Sequence, residues 1–164
     1  MTALEESVKS RRTSDSTPAL KLWVVLARAY GAVAVRASAD ISRHDLTPAE
    51  FGVLEALYHK GPLLLGEVQK KVLISSGGIT YVVDRLEKRG LVERRPSLDD
   101  RRACFGALTR SGKTLMQRIF PEHEKYLLDV LSGLDEQEQR EATELLRKLG
   151  RKAAEIDSEA AMPE

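Results

Sequence analysis

The side chains best suited to chemistry share one face of a helix that is predicted over residues 76–89. Thr80 and Tyr81 could contact DNA bases at short range, whereas Arg85 and Lys88 are long enough to reach backbone phosphates. The opposite face is apolar, so the helix can pack on its own domain and present its polar face to the major groove. Three small residues at its start would let backbone amides approach a phosphate. These residues are Ser75, Ser76 and Gly77.

A charged turn follows this helix and separates two short predicted strands, residues 91–95 and 103–108. The turn carries Arg101 and Arg102, whose size and charge suit the minor groove of DNA. The alternative is a surface turn in which the two preceding aspartates neutralise these arginines. Residues 75–102 hold seven Arg or Lys against five Asp or Glu, whereas residues 135–164 hold five against nine. The charge pattern therefore favours DNA on the side of the turn.

Most of the remaining chain is predicted to be helical, because apolar residues recur with a period near 3.6. Thr47, Pro48 and Glu50 form a capping-box signature, which starts a helix that ends at Gly61. A kink is expected at Pro121, inside a later helix. This order of helices and strands is typical of a winged helix-turn-helix, so the expected fold class is mainly α with a small β-hairpin. The predicted helices span residues 20–42, 48–60, 65–72, 76–89, 109–131 and a last segment that starts after Asp135 and continues through Ile156.

The composition limits the class of protein and its setting. The chain has 164 residues, a net charge of +1 and one cysteine, Cys104. A single cysteine excludes an internal disulfide framework and a cysteine-rich zinc site, and it favours a reducing, cytoplasmic setting. The N-terminus lacks the apolar core of a signal peptide, and no apolar stretch approaches the roughly 20 residues of a membrane span. We therefore expect a soluble protein with no membrane partner.

Residues 46–112 resemble the MarR (multiple antibiotic resistance regulator) family of bacterial transcription factors. The matching segments are LTPAEFGVLEAL, ISSGGITYVVDRLEKRGLVERRP and DDRRACFGALTRSG. The last segment fits the family's wing pattern D-x-R-x-x-x-V-x-L-T-x-x-G, except that Gly106 stands where the family has valine. The resemblance implies a homodimeric repressor that binds a pseudo-palindromic operator in double-stranded DNA. Its two recognition helices would lie one DNA turn, about 34 Å, apart.

The resemblance also implies roles for segments and single residues. The terminal helices would dimerise, and they hold more apolar side chains than one lobe can cover, which agrees with an interface. The implied division is a flexible tail (1–17), a dimerisation helix (18–44), a winged DNA-binding lobe (45–112) and C-terminal dimerisation helices (113–160). The implied roles are base contacts for Thr80 and Tyr81, phosphate contacts for Ser75, Ser76 and Arg85, a minor-groove contact for Arg102, and bracing of the wing for Asp100.

A small-molecule effector is a further implication of the resemblance. Family members are often relieved by a phenolic compound or another aromatic acid that binds between the helical layer and the winged lobe. The recognition segment and FPEH at residues 120–123 resemble the branch that responds to quinones and other electrophiles. Trp23, Tyr30 and His123 are the candidate pocket residues. The alternative is a core position or, for Trp23 and Tyr30, a dimer seam.

Other chemistries have weaker support in the sequence. His44, His59 and His123 do not share a short metal-ligand spacing, so we expect no metal and no cofactor. Cys104 lies on a predicted wing strand without a second cysteine, which favours a half-buried packing residue over a redox sensor. No nucleophile and base are arranged for catalysis, so we expect no enzymatic activity. The alternative to a DNA-binding regulator is a protein-interaction scaffold built on a winged lobe.

Overall fold

The computed structural model describes residues 17–72, 76–96 and 104–160, with the side chains of these residues except 76, 77 and 156–160. The predicted helices and wing strands are confirmed to within two residues, except that the last helix continues to Ala160, four residues beyond the predicted end at Ile156. The fold class is therefore confirmed as mainly α with a small antiparallel sheet. The elements are α1 (Pro18–Ser42), α2 (Pro48–Lys60), β1 (Leu63–Leu64), α3 (Leu65–Val72), α4 (Ser76–Lys88), β2 (Val92–Pro96), β3 (Cys104–Leu108), α5 (Arg110–Val130) and α6 (Glu136–Ala160).

Helix α2 begins and ends as its sequence predicts. The Thr47 hydroxyl accepts a hydrogen bond from the Glu50 backbone amide at 3.2 Å, and the Glu50 carboxylate accepts one from the Thr47 amide at 2.8 Å. Pro48 occupies the first turn, where its missing amide hydrogen costs nothing. At the other end, Gly61 adopts a φ of 76° and donates its amide to the carbonyl of Leu57 at 3.0 Å. This left-handed conformation suits glycine and ends the helix.

The sheet has three strands, not the two that the sequence predicts. Its order is β1-β3-β2, and β1 pairs antiparallel with Phe105 and Gly106 of β3. The packing around Gly106 accounts for a glycine where the family has valine. A Cβ at this position would lie 3.1 Å from Cδ2 of Leu65 and 3.6 Å from Cδ1 of Leu57, so the glycine leaves room for these two leucines.

The core of the lobe lies between α2, α3, α4 and the sheet. Helix α4 contributes the apolar stripe that the sequence predicts, and all four of its residues are buried: Ile79, Val82, Val83 and Leu86. Phe51, Leu54 and Val68 pack in the same cluster, together with Met116 and Ile119 of α5. Because α4 buries one side in this cluster, its other side is free to meet a partner.

The chain forms two compact units, one that ends at Glu124 and one that starts at Lys125. The second unit holds the last turns of α5 and all of α6. A reciprocal cap starts α6, in which Asp135 and Glu138 exchange two hydrogen bonds of 2.9 Å. The division into residues 1–17, 18–44, 45–112 and 113–160 stays a prediction.

Helix α1 is long and apolar enough to cross a membrane by length and composition, with a mean hydropathy of 1.4 over an 18-residue window. By this measure, the expectation that no apolar stretch approaches a membrane span is wrong. However, the charged side chains of Lys21, Arg28 and Arg36 interrupt the apolar sequence of this helix, and an arginine at the centre of a membrane span costs about 2.5–3.5 kcal/mol. Its last turn is also buried in the lobe at Asp40 and Ile41. These features favour a helix that packs against protein.

Gly112 allows α5 to lie directly against the base of the wing. A Cβ on Gly112 would be 2.0 Å from the backbone carbonyl oxygen of Leu91, which is far inside contact distance. The same carbonyl accepts the amide of Thr109 at 3.1 Å, and the Thr109 hydroxyl donates to the carbonyl of Gly90 at 2.6 Å. The start of α5 and the start of β2 therefore form one rigid junction.

We predict that Gly112→Ala lowers the free energy of unfolding by about 3 kcal/mol, because neither backbone can move without breaking the junction. Gly66→Ala is the matched control, since nothing lies within 4 Å of its added Cβ. It should leave stability unchanged or raise it by up to about 1 kcal/mol. Urea unfolding followed by circular dichroism measures both, and equal effects of the two substitutions would contradict the prediction.

Candidate nucleic-acid interface

The polar face of α4 is accessible. Thr80 is exposed, and the Tyr81 side chain is 63% exposed on the same helix. Arg85 and Lys88, one and two turns further on, are exposed as well. Hence the two candidate base readers and the two candidate phosphate contacts lie on one surface, as the sequence predicts.

Two arginines anchor α4 to the start of α2. Nε of Arg85 lies 3.2 Å from Oε1 of Glu50, whose residue is only 1% exposed. Nη1 of Arg89 lies 3.7 Å from the same oxygen and donates a hydrogen bond of 2.8 Å to the carbonyl of Asp45. The guanidinium carbon of Arg85 also lies 5.8 Å from the centre of the Tyr81 ring. Arg85 is therefore both a surface cation and an internal anchor.

A third arginine ties the other side of α4 to the wing. Nη2 of Arg94 on β2 lies 2.7 Å from Oδ1 of Asp84, and Nη1 pairs with the carboxylate of Glu87. The Arg94 amide donates to Glu87 at 3.0 Å. Burial alone would lower the pKa of the Arg94 guanidinium, but the hydrogen bonds and charges of Asp84 and Glu87 outweigh it and raise the pKa. The acidic residues of α4 are thus neutralised by the wing strand.

The remaining predicted DNA contacts are described only in part. Ser75, Asp100, Arg101 and Arg102 lie outside the described residues. Ser76 and Gly77 belong to the first turn of α4, with side chains outside the description. The roles of all eight predicted contact residues stay predictions.

The sequence patterns do not predict the anchoring roles of three residues in this region, Glu50, Arg89 and Arg94. Glu50 was interpreted only as a helix cap. Its contact with Arg85 joins residues 35 positions apart, and no local spacing signals such a pair. Arg94 lies in a predicted strand, where an alternating pattern indicates only that one face is polar.

The candidate effector residues occupy different surroundings within one chain. His123 is buried, its Nδ1 lies 2.8 Å from Oδ2 of Asp40, and its ring centre is 4.7 Å from that of Phe51. Trp23 and Tyr30 are 65% and 73% exposed on α1. Since α1 rises about 1.5 Å per residue, Trp23 lies about 25 Å along the helix from Asp40. Trp23 and His123 of one chain are therefore too far apart to line one small-molecule pocket.

Cys104 is a free, half-buried thiol on β3, in agreement with a packing residue. Among the described residues, no group of three or more His, Cys, Asp or Glu side chains is arranged to hold a metal ion.

Helix α4 packs on the lobe through its apolar side and exposes its polar face, and a short antiparallel sheet follows it. This arrangement defines a winged helix-turn-helix DNA-binding protein. A family model described as the MarR family matches residues 44–103. The HTH-type transcriptional regulator MhqR of Bacillus subtilis is 42% identical over 137 residues, which cover 84% of this chain and 94% of that protein. The chain belongs to the MarR family of DNA-binding transcriptional regulators, a family of regulators and not of enzymes.

Solved structures share the fold. BpsR of Bordetella bronchiseptica, whose DNA binding is regulated by 6-hydroxynicotinic acid, is 30% identical, with a TM-score of 0.68 over 79% of this chain and 98% of that one. Sco3205 of Streptomyces coelicolor, a MarR family regulator solved in complex with DNA, has a TM-score of 0.75 over 81% of this chain and 86% of that one. Its identity is 23%, so this second likeness concerns the fold alone.

We predict that Arg94→Ala destabilises the protein by about 1–2 kcal/mol, because Asp84 and Glu87 lose their shared cation, while solvent limits the cost. Arg95→Ala is the control, since Arg95 is more exposed and pairs with Glu93 on the surface of the same strand. Its effect should stay within about 0.5 kcal/mol. Urea midpoints compare the two variants, and a loss for Arg95→Ala as large as that for Arg94→Ala would refute the anchoring role.

Proposed function

We propose that the protein is a homodimeric cytoplasmic repressor that binds a pseudo-palindromic operator in double-stranded DNA and is released by a small aromatic or phenolic effector. One observation carries the DNA-binding part. Helix α4 buries its apolar stripe in the lobe and exposes Thr80 and Tyr81 on the opposite side. A helix held in this way can enter a major groove with its reading side chains in front.

The exposed apolar surface of α1 supports the homodimer. Large side chains along this helix are more than half exposed, among them Leu20, Trp23, Tyr30 and Val35. Contiguous apolar surface of this kind usually marks an interface in a soluble protein. A second copy of the chain would cover it and would place two recognition helices about 34 Å apart on one face of the DNA.

The proposed contacts divide into three kinds. Thr80 and Tyr81 contact bases and carry the sequence preference. Ser75, Ser76 and Arg85 contact phosphates, and the small residue Gly77 lets the backbone come close. Arg101 and Arg102 enter the minor groove from the wing, which Asp100 braces. Base contacts specify the sequence, whereas phosphate contacts supply affinity for any sequence.

The effector proposal draws on a relative and on aromatic residues of this chain. BpsR, which shares 30% identity, has its DNA binding regulated by a hydroxylated aromatic acid. Here Trp23 and Tyr30 of one protomer, with His123, would line a pocket that the dimer completes. An effector that prefers a spacing of the lobes unsuited to two successive grooves would lower DNA affinity by population shift.

We predict that selection from a random double-stranded DNA pool returns an inverted repeat with half-sites about 10 base pairs apart. On that operator, Thr80→Ala or Tyr81→Ala should cost about 1–3 kcal/mol of binding free energy and should cost little on unrelated DNA. Arg85→Ala should instead weaken binding to every sequence and reduce the salt slope by about one. Fluorescence anisotropy at several salt concentrations measures all three.

Thr143→Ala, which changes an exposed threonine of α6, is the control for these variants and should bind as the wild type does. A scaffold that does not read DNA would return no enriched sequence. It would also show no difference between the Thr80, Tyr81 and Thr143 variants.

We predict that at least one compound in a panel of phenols, quinones and hydroxylated aromatic acids weakens operator binding by about 5–150-fold, the usual range of allosteric coupling. The same compound should raise the melting temperature of the free protein, since it binds the folded state. An aliphatic acid of equal charge is the control and should do neither. A panel without any active compound would count against an aromatic effector and leave operator binding intact.

A further inference from the structure

The carboxylate of Glu50 is the most deeply buried charged group of the described lobe. Its Oε2 accepts hydrogen bonds from the amide and the hydroxyl of Thr47, at 2.8 and 2.9 Å. Its Oε1 accepts no hydrogen bond from a described group, and lies 3.2 Å from Nε of Arg85 and 3.7 Å from Nη1 of Arg89. One oxygen therefore caps α2, while the other faces Arg85 of α4 and Arg89, which directly follows α4.

This arrangement does more than the cap requires. A glutamine at the third helical position completes a capping box as well as a glutamate does, so the cap alone does not call for a charge. The charge is needed only for the two arginines. A buried carboxylate is strongly unfavourable unless opposite charges compensate it, so Glu50 constrains where Arg85 and Arg89 lie.

Both arginines pass this constraint on to the DNA-reading surface. Arg85 is 44% exposed and lies over the ring of Tyr81, so fixing its guanidinium also limits the positions that the ring can take. Arg89 also donates to the carbonyl of Asp45, in the turn between α1 and α2. The end of α4 is thereby tied to the corner of the lobe from which α2 starts.

We propose that Glu50 is a positioning residue for DNA recognition, which fixes the recognition helix α4 on the lobe and orients Tyr81 through Arg85. This inference rests on the proposed operator binding. Glu50 does not touch DNA in it. It holds the residues that do.

The substitution Glu50→Gln separates positioning from charge. The cap survives, because the amide oxygen of glutamine still accepts from Thr47. Electrostatics alone predicts that removing a negative charge from a DNA-binding lobe strengthens binding. Positioning predicts the opposite sign, namely an affinity for the selected operator that falls about five- to tenfold, because the reading side chains lose their fixed geometry.

Glu55→Gln is the matched control, with the same change on the same helix. Among the described residues, no ion pair or hydrogen bond of the Glu55 side chain is found, so this variant should bind as tightly as the wild type or slightly tighter. The double variant Glu50→Gln with Arg85→Ala tests the route. If Glu50 acts through Arg85, the operator affinity of the double variant should lie within about twofold of that of Arg85→Ala alone. Losses that simply multiply would overturn this route.

Hydrogen–deuterium exchange of the free protein gives a readout that does not depend on DNA. Glu50→Gln should make the amides of α4 exchange several-fold faster and leave those of α5 unchanged. Unchanged exchange in α4 overturns the proposal, and so does an operator affinity equal to or above that of the wild type. If the wild type finds no operator, the proposed function fails by itself, and the exchange experiment still decides whether Glu50 holds α4.

Discussion

One buried carboxylate joins the start of helix α2 to the end of helix α4. Glu50 takes two hydrogen bonds from Thr47 at the start of α2 and faces Arg85 and Arg89 near the end of α4. An unpaired charge at 1% exposure would be too costly to keep, so the two helices must stay in the relation that compensates it. A capping interaction, which is local, is thereby coupled to the orientation of a helix that is distant in sequence.

The opposite side of α4 is held by the wing. Arg94 of β2 pairs with Asp84 and Glu87, and Gly112 lets α5 lie against the carbonyl of Leu91 at the start of the same strand. The buried apolar stripe of α4 determines which face of the helix meets the lobe, and ion pairs flank this stripe on both sides. The result is a rigid platform with a polar face that the lobe does not use.

Local signals in the sequence predicted the elements of this platform well. The capping box at Thr47 and Glu50, the glycine at position 61 and the apolar stripe of α4 each depend on residues a few positions apart. The third strand was missed because Leu63 and Leu64 are too few to show an alternation, and only their register with β3 makes them a strand. The anchoring pairs were missed for a related reason. They join residues from different elements, so they exist only once the lobe has folded.

The exposed polar face of α4 was predictable, since the places of Thr80, Tyr81 and Arg85 follow from helical periodicity once the apolar side is known. The ion pair between Arg85 and Glu50 was not predictable, because the capping box already explains Glu50 from local sequence. Similarly, periodicity places Trp23 and Tyr30 on the apolar side of α1. It cannot show their distance from His123, which lies on α5 and contacts the last turn of α1. Distances between elements are a property of the fold.

In α4 and directly after it, the residues that pair with the lobe differ from the two proposed base readers. Asp84, Arg85, Glu87 and Arg89 are engaged by the lobe, whereas Thr80 has no side-chain role in the described core and Tyr81 is mostly exposed. If Thr80 and Tyr81 read bases as proposed, gene copies that arise by duplication can diverge in the DNA sequences they recognise through these two exposed positions, while inheriting the supporting ion pairs unchanged. A separation of this kind makes new target preferences accessible to evolution without a loss of folding.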